Sequence, residues 1–375
     1  MQIIIAGDLV PTISNSDLFI TADVNSLLGD KLLLLWNQAD IRIFNLEAPL
    51  TDKANPIDKN GYNLIAPINT INGIKALNPS LLTLANNHVI DQGIQGFRTT
   101  KETLKLNNIP FVGIGENLSE ACKPYIIGKD KIKIGIYACA EHEFSIATKR
   151  TPGANPFDPL ETIDHIQSLN NKCDYVIVLY HGGKELYRYP SPYLRKICRK
   201  LAQKGAHLVI CQHSHCIGCF EEYEKSTIVY GQGNFLFDNL RNSEYWDTSL
   251  LIRVNINKDI NIDYIPIVKK GNCIRLADEE EMTEILNSFQ HRSIELLNED
   301  YLEQKYQEFA KANLQTYLRK ISGLGRLFFS IDNRLFNGKL LKKIYNKKKL
   351  LALQNYIECE AHRELLIAGL KLEEK

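Results

Sequence analysis

Short apolar segments alternate with amphipathic segments over about the first 270 residues, and this alternation constrains the fold more than any other feature of the chain. The apolar segments are rich in Ile, Val and Leu and mostly end at Gly, Asn, Asp or His, which is typical of buried strands. The segments between them carry apolar residues at helical spacing. Strands that alternate with helices build a sheet covered by helices, so the sequence predicts an α/β domain with a layered sheet core. The predicted strands are 2–6, 41–45, 81–84, 110–112, 132–137, 175–180, 207–211, 228–230, 249–255 and 261–267, and the predicted helices are 68–77, 96–107, 159–170 and 192–204.

A different pattern begins near residue 275, where the strands give way to amphipathic stretches with an uneven charge. Residues 278–308 contain ten acidic residues and two Lys or Arg, whereas residues 331–350 contain seven Lys or Arg and one acidic residue. We therefore predict a domain over 1–275 and a helical C-terminal extension over 276–375. The basic stretch has two interpretations: an amphipathic surface for an acidic membrane or polymer, or a solvated helix face that complements the acidic stretch.

The overall charge and the cysteine usage limit the class of protein. Lys and Arg total 45 and Asp and Glu total 44, whereas a dedicated nucleic-acid binder usually has a clear basic excess. The nine cysteines are an odd number scattered over a long chain, which favours free thiols over a disulfide framework. The first residues, MQIIIAGDLVP, match neither a signal peptide nor a membrane span, and no apolar run reaches the ~18–20 residues of a spanning helix. We therefore expect a soluble, cytoplasmic protein that binds no nucleic acid.

Ligand-type side chains follow five of the predicted strands, and functional residues of an open α/β sheet gather at the carboxyl ends of strands. A lone histidine at a strand end is usually structural, but five such ends, with four of the nine histidines among them, favour a site. The mixed nitrogen and oxygen set suits one or two divalent ions of Mn, Fe, Zn or Co, and one carboxylate can bridge two ions ~3.5–4 Å apart. The turns contain Gly7 and Asp8, Asn45 to Glu47, Ala85 to His88, His181 to Glu185, and Gln212 to His215.

Several short motifs occur in the order and spacing of one protein family. They are AGDLVP (6–11), NLEAPLT (45–51), YNLIAPI (62–68), LANNHVIDQG (84–93), FVGIGEN (111–117), HGGKE (181–185), QHSH (212–215) and VYGQGNFLFD (229–238). In these motifs the chain resembles the CapA family of bacterial poly-γ-glutamate and capsule synthesis proteins, over roughly residues 1–275. The resemblance implies a layered α/β/β/α sandwich of the calcineurin-like metallophosphoesterase type, followed by the helical extension.

The resemblance also implies roles for the residues at the strand ends. His88 corresponds to the histidine that protonates the leaving group, next to the amide ligand Asn87. Two positions depart from the family pattern, because Val10 stands where a histidine is expected and Glu47 replaces the usual aspartate. The loss of one imidazole weakens one metal position, so we expect either a single tight site or a labile second ion. The implied metal ligands are Asp8, Glu47, Asn87, His181, His213 and His215.

Several neighbouring residues have more than one interpretation. Asp91 either holds His88 in one tautomer or caps the following helix, and Glu185 either contacts substrate or begins a surface helix. Cys216 and Cys219 lie beside histidines, as in a structural zinc site, but the lack of a second C-x2-C pair favours ordinary thiols. The candidate substrate-contacting residues are Asn45, Tyr62, Glu185 and Asn234.

Two functions fit these observations. The first is a metal-dependent hydrolase with His88 and Asp91 in the catalytic pair, acting on a phosphoester or on a small-molecule or polyanionic polymer substrate related to capsule or poly-γ-glutamate. The second is a non-hydrolytic component of polymer synthesis, in which the same site binds metal and polymer and the basic tail makes a peripheral contact with a membrane or a partner. The resemblance implies a domain that commonly follows a membrane anchor, and the lack of an anchor pattern here favours the first function.

Overall fold

The structure of the protein is a computed structural model that describes residues 1–238, 243–257, 259–336 and 339–373. Residues 337, 338, 374 and 375 of the predicted extension therefore lie outside the described residues. Within the described ranges the chain has sheets covered by helices, followed by a helical C-terminal part. The predicted α/β fold class is confirmed.

Strands and helices alternate through most of the chain, and every predicted strand and helix is present with ends that differ by at most four residues. The strands are β1 (Gln2–Val10), β2 (Ile41–Leu46), β3 (Leu81–Thr83), β4 (Phe111–Val112), β5 (Ile114–Gly115), β6 (Tyr125–Lys129), β7 (Ile132–Ala140), β8 (Gly153–Ala154), β9 (Tyr175–His181), β10 (Leu208–Gln212), β11 (Phe220–Tyr223), β12 (Ser226–Tyr230), β13 (Asn234–Phe237), β14 (Thr248–Ile256), β15 (Ile260–Lys270) and β16 (Cys273–Leu276). The helices are α1 (Ser16–Ile20), α2 (Val24–Leu28), α3 (Asp30–Gln38), α4 (Ile71–Ala76) after a 3-10 turn (Ile68–Thr70), α5 (Gly93–Leu106), α6 (Leu118–Ala121), α7 (Glu161–Asn170), α8 (Pro192–Gln203), α9 (Glu244–Asp247), α10 (Glu279–Leu296), α11 (Glu299–Ile321), α12 (Arg326–Phe336), α13 (Lys339–Ile344), α14 (Lys347–Glu358) and α15 (Glu360–Glu373).

Two large sheets form the body of the protein. The first has the order β16-β15-β14-β1-β2-β3-β4, with β13 paired to the end of β1, and its strands β1 to β4 are parallel. The second has the order β11-β12-β10-β9-β7-β6, and its four central strands are parallel. Parallel strands end at the same edge of a sheet, so each sheet presents one edge at which several carboxyl ends meet.

The second sheet is buried on both faces, and the two faces contact different partners. On β9, Ile177 belongs to the core shared with the first sheet, whereas Val176 and Val178 pack with residues of α7 and α8. Side chains alternate across a strand, so one face of this sheet meets the first sheet and the other meets helices. Against the first sheet, Trp36 of α3 stacks on Phe235 of β13 with ring centroids 4.9 Å apart. The predicted layered α/β/β/α sandwich is therefore confirmed.

The C-terminal part of the chain is helical within the described residues. The last strand ends at Leu276, and Asp278 begins α10 with a capping box that also uses Glu281. Helix α10 packs against β11 of the second sheet, where Phe289 stacks on Phe220 at a centroid distance of 5.0 Å. The chain divides into two compact units, Met1–Glu303 and Gln304–Lys375, and the proposed domain boundary at residue 275 stays a prediction.

Of the helices that the structure describes, none is both long enough and apolar enough to cross a bilayer.

The backbone of β1 lies very close to the turn before β13, so a larger residue at Gly7 should destabilise the protein. A Cβ atom on Gly7 would lie 2.0 Å from the carbonyl oxygen of Gly233. This oxygen belongs to the backbone, so a change of side-chain rotamer cannot relieve the clash. We predict that Gly7→Ala lowers the free energy of unfolding by about 3 kcal/mol, measured by urea denaturation. Gly128→Ala is the control, because no atom lies within 4 Å of its Cβ position, and it should not destabilise the protein. Equal losses in the two variants would contradict the close approach.

Candidate functional site

Six ligand-type side chains from both sheets come together where the central strands end. In the first sheet the register places Asp8 opposite Asn45, and in the second it places His181 opposite Gln212. Two contacts join the sheets there, because Gln212 Nε2 donates to the carbonyl oxygen of Ala6 at 3.2 Å and Asn45 Nδ2 lies 3.4 Å from His181 Nδ1. The structure thus brings together the side chains that the sequence predicts as ligands, namely Asp8, Glu47, Asn87, His181, His213 and His215.

Glu47 is shared by two groups of potential ligands. Asp8, Glu47 and His181 each offer one ligand atom, and these atoms all lie within 4.8 Å of one another. The same holds for Glu47, His213 and His215. Among the described side chains, these are the groups of three or more His, Cys, Asp or Glu that meet this condition. A carboxylate common to two ligand groups could be shared by two divalent ions.

Asn87 joins the same cluster through its amide oxygen. Its Oδ1 lies 3.1 Å from His181 Nε2, and its Nδ2 donates to Glu143 Oε2 at 3.3 Å. Glu143 Oε1 also lies 3.9 Å from His213 Nε2, so one exposed carboxylate contacts two of the clustered residues. The amide of Asn87 is therefore oriented with its oxygen toward the cluster and its nitrogen away from it.

The charge of Glu47 is the least compensated in the cluster. Its side chain has no exposed surface, and although its Oε1 lies 3.2 Å from His181 Nε2, neither of its oxygens accepts a hydrogen bond in the described structure. Burial, followed by the negative charge of Asp8, raises the pKa of Glu47 to about 8. A buried carboxylate is costly unless a cation or a donor compensates it. A divalent cation would supply that charge, so these residues fit a metal ion.

Burial favours the neutral form, which binds metals, for two of the clustered imidazoles, those of His181 and His213. Burial, followed by the nearby His181 and His215, holds the pKa of His213 well below its usual value. Burial also lowers the pKa of His181, although the charge of Asp8 opposes this shift. His213 Nδ1 is buried and has no hydrogen-bond partner. A neutral imidazole with an uncommitted nitrogen is a common metal ligand.

The two histidines after β10 sit in an unusual turn. His213 has a φ of 84° and His215 a φ of 55°, so two non-glycine residues adopt left-handed backbone conformations. Such conformations are uncommon for residues with a Cβ and concentrate at functional sites. Both side chains are buried next to Glu47 as a result.

His215 is fixed by contacts on several sides. Its Nδ1 lies 2.9 Å from Asn234 Oδ1, and its ring stacks on Trp246 with centroids 4.5 Å apart and an interplanar angle of 20°. Phe237 meets the same ring edge-on at 5.5 Å. Asn234 Nδ2 is buried without a hydrogen-bond partner. These contacts define the orientation of His215 in the cluster.

His88 is paired with Asp91, and this pairing separates the two interpretations of Asp91. His88 Nδ1 lies 2.5 Å from Asp91 Oδ2. The cap residue of α5 is Gln92, and no side-chain hydrogen bond caps this helix. Asp91 therefore contacts His88 through its side chain and does not cap α5.

Val10 offers no ligand atom at the position where the resemblance implies a histidine. It is buried in β1, opposite Phe237 of β13. The cluster thus contains one imidazole fewer than the family pattern implies.

The other predicted residues lie at different distances from the cluster. Asn45 Nδ2 donates to Asp8 Oδ1 at 2.7 Å, so Asn45 is part of it. Tyr62 is 87% exposed. Glu185 is also exposed, but its negative charge contributes to raising the pKa of Glu47 and opposes the lowered pKa of His181, so it lies near the cluster. Cys216 and Cys219 are buried thiols that belong to neither ligand group among the described residues.

Three residues that contact the cluster or its neighbours were not predicted from the sequence. They are Lys59 in the loop after β2, Glu143 after β7, and Trp246 in α9. None of them directly follows a predicted strand that ends in ligand-type residues. The one available signal was composition, because Trp246 is one of two tryptophans in the chain.

Comparisons with known proteins identify similar sequences. The family model described as "Bacterial capsule synthesis protein PGA_cap" matches residues 2–239. The PGA biosynthesis protein CapA of Bacillus subtilis is 30% identical over 210 residues, which are 54% of this chain and 55% of that protein. The capsule biosynthesis protein CapA of Bacillus anthracis is 30% identical over 204 residues, which are 52% of this chain and 49% of that protein. The chain therefore spans about half the length of the curated relatives it matches.

A phosphatase from Mycoplasma pneumoniae is among the similar solved structures. It is 15% identical, and the match covers 76% of this chain and 96% of that chain with a TM-score of 0.43. A TM-score below 0.5 marks this likeness as partial.

The raised pKa of Glu47 predicts that the free energy of unfolding of the metal-free protein depends on pH. Between pH 4.5, its ordinary pKa, and about 8, the folded state retains a proton that the unfolded state has lost, so stability falls as the pH rises through this window. We predict that the unfolding free energy of Glu47→Gln, which cannot ionise, rises by about 3–5 kcal/mol relative to that of the wild type as the pH increases from 5 to 9.

Urea unfolding of both proteins in a chelator, at several pH values, measures this difference. Glu47→Gln leaves every other titratable group in place, so the pH dependence of the difference between the two unfolding free energies reports on residue 47. A difference that stays constant from pH 5 to pH 9 would contradict the buried, uncompensated carboxylate.

Proposed function

Because the chain belongs to the bacterial capsule synthesis protein family PGA_cap, we propose that it is a metal-dependent hydrolase that acts on a phosphoester or a related precursor in capsule or poly-γ-glutamate synthesis. The observation that carries this proposal is Glu47, one buried carboxylate without a hydrogen-bond donor that is shared by two groups of potential ligands. In this proposal residues 1–275 form the hydrolase domain and residues 276–375 form the extension.

The donor set suits one or two divalent ions of Mn, Fe, Zn or Co, because it combines carboxylates, an amide oxygen and imidazoles. When bound, such ions supply Lewis acidity and a coordinated water of lowered pKa. Glu47 belongs to both ligand groups and is the proposed bridging residue. The proposed ligands are Asp8, Glu47, Asn87, His181, His213 and His215.

His88 is the residue that we assign to proton transfer. It follows Asn87 in the chain, and 15% of its side chain is exposed, whereas the proposed histidine ligands are more deeply buried. Its Nδ1 is engaged by Asp91, so Nε2 is the nitrogen that faces a bound substrate. The proton on Nε2 goes to the leaving oxygen as the bond to phosphorus breaks. Asp91 keeps the ring in the orientation that this transfer requires.

This assignment predicts different losses for His88→Ala and His213→Ala. A leaving group of high pKa needs a proton, whereas an activated aryl oxide does not, and general acid catalysis typically contributes ~10²–10⁴-fold. His88→Ala should therefore retain its metal content and lose about 10²–10⁴-fold in the turnover of alkyl phosphates, with a much smaller loss on aryl phosphates. His213→Ala should lose metal and all turnover together.

The measurements are metal analysis of the purified proteins and steady-state kinetics with added Mn²⁺. His207→Ala is the control, because His207 is a partly buried histidine whose Nδ1 accepts a hydrogen bond from the Val176 backbone, away from the cluster. If His88→Ala loses metal as fully as His213→Ala, His88 is a ligand and the assignment is wrong. A wild-type protein that binds metal and turns over no phosphoester would contradict the hydrolase proposal.

A second candidate function is supported by the lysines of the C-terminal unit. Residues 342, 343 and 347–349 are exposed lysines of α13 and α14. Clustered ammonium groups attract a polyanion, and the Bacillus subtilis relative is described as a PGA biosynthesis protein. The alternative is therefore a non-hydrolytic component of polymer synthesis that binds an acidic polymer through this surface.

The alternative predicts that replacing the three lysines of residues 347–349 with Gln weakens the binding of poly-γ-glutamate roughly tenfold at low salt, because three charge contacts are lost. The control replaces Lys133, Lys172 and Lys225 of the first compact unit, which are also exposed and remove the same charge. Fluorescence anisotropy with labelled polymer measures both affinities. Equal losses of polymer affinity in the two variants would contradict a specific polymer-binding surface on α13 and α14. Binding to anionic vesicles without binding to the polymer would indicate that the lysines contact a membrane instead.

A further inference from the structure

The loop between β2 and α4 is closed at its base and folded around the turn that carries His88. Thr51 N donates to the carbonyl oxygen of Ala66 at 2.9 Å, and Ala66 N donates to that of Pro49 at 3.0 Å. The loop, residues 52–65, therefore leaves and rejoins the body of the protein at nearly the same place. Such compact surface loops are frequently functional.

Asp91 and Gln92 form the centre around which this loop is organised. Leu64 N donates to Asp91 Oδ2 at 2.6 Å, and Ile57 N donates to the carbonyl oxygen of Asp91 at 3.1 Å. Asn55 N donates to Gln92 Oε1 at 2.8 Å, and Gln92 Nε2 donates to the carbonyl oxygen of Leu64 at 2.9 Å. The path of the loop is thus fixed by the two residues that lie directly before α5.

The loop places the ammonium group of Lys59 beside His88 and Asp91. Lys59 Nζ forms an ion pair with Asp91 Oδ1 and lies 3.3 Å from His88 Nδ1. The Lys59 side chain is only 3% exposed and that of Asp91 only 1%. Lysine is almost never buried to this degree unless its charge is paired, so the position of Lys59 is a specific feature of the loop.

The two oxygens of Asp91 contact different donors. The ammonium group of Lys59 can only donate, and it contacts Oδ1. Oδ2 is left to the Leu64 backbone and to His88 Nδ1. Without Lys59 the carboxylate would be buried with its Oδ1 unpaired, and only the Leu64 backbone and His88 would still hold its orientation.

We propose that Lys59 is a positioning residue for His88. By holding Oδ1 of Asp91, it directs Oδ2 to His88 Nδ1, and His88 then presents Nε2 to the leaving group. This inference rests on the proposed hydrolase function for its kinetic consequence, but its structural consequence does not depend on any activity. Outer residues of this kind typically contribute about 10–100-fold to the process that they support.

The kinetic test compares Lys59→Met with His88→Ala. Lys59→Met removes the charge at similar length, and it should lower the turnover of alkyl phosphates about 10–100-fold while it leaves metal content and aryl phosphate turnover within about threefold. In the His88→Ala background Lys59→Met should have no further effect, because the residue that it positions is gone. Lys59→Arg restores the cation and should recover most of the loss.

Lys53→Met is the matched control, because Lys53 is an exposed lysine at the start of the same loop and should behave like the wild type. Urea unfolding of every variant separates a folding defect from a positioning effect, and Lys59→Arg remains informative if Lys59→Met does not fold. An equal loss for alkyl and aryl phosphates, or additive losses in the double variant, would overturn the proposal.

The structural test uses the imidazole NMR signals of the metal-free protein and needs no substrate. The wild type should show a slowly exchanging Nδ1 proton on His88, and Lys59→Met should lose it whereas Lys53→Met should keep it. If the signal persists in Lys59→Met, the positioning role is wrong. If the signal is lost in Lys59→Met but the wild type hydrolyses no phosphoester, the positioning role stands and the proposed function fails.

Discussion

The negative charge buried between the two sheets is the constraint on which the rest of the site depends. Asp8 and Glu47 are almost completely buried and lie close enough for the charge of Asp8 to raise the pKa of Glu47. Asp8 accepts hydrogen bonds from Asn45 Nδ2 and the His213 backbone, whereas Glu47 accepts none in the described structure. A core optimised only for stability would not contain such a pair. The arrangement is favourable only when a proton or a cation compensates Glu47, which ties the stability of this region to what it binds.

The layered architecture explains how this pair meets the histidines. The strands that carry the carboxylates belong to one sheet and the strands that carry His181 and His213 belong to the other. Because the sheets pack face to face, the carboxyl ends of their central strands meet at one edge of the sandwich. The pairing of β1 shifts register between Ile5 and Asp8, and β13 pairs with β1 from Asp8 onward. Beyond the irregularity the ladder resumes with Asp8 between Asn45 and Asn234, near the carboxyl end of β1.

The sequence predicted ten of the sixteen strands that the structure describes, and the polar residues that follow five of them, because both signals are local. A buried strand is an apolar run, and a polar residue directly after it stands out against that run. Helices α1 and α2 were missed because each has five residues, too few to display helical periodicity. Lys59 and Trp246 were missed for another reason. In sequence Lys59 resembles any surface lysine of a polar loop, and only hydrogen bonds to a turn about thirty residues away bury it beside His88.

The two tasks that we propose for the site, holding metal and moving a proton, depend on different contacts although they start from adjacent residues. Asn87 is oriented by His181 and Glu143, which belong to the second sheet and the segment after β7. His88 is oriented by Asp91, and through it by the loop that carries Lys59. A change in the loop therefore acts on His88 without passing through the contacts that orient Asn87. Because the two sets of contacts share no side chain, a substitution in the loop should alter the proposed proton transfer and leave the proposed metal binding in place.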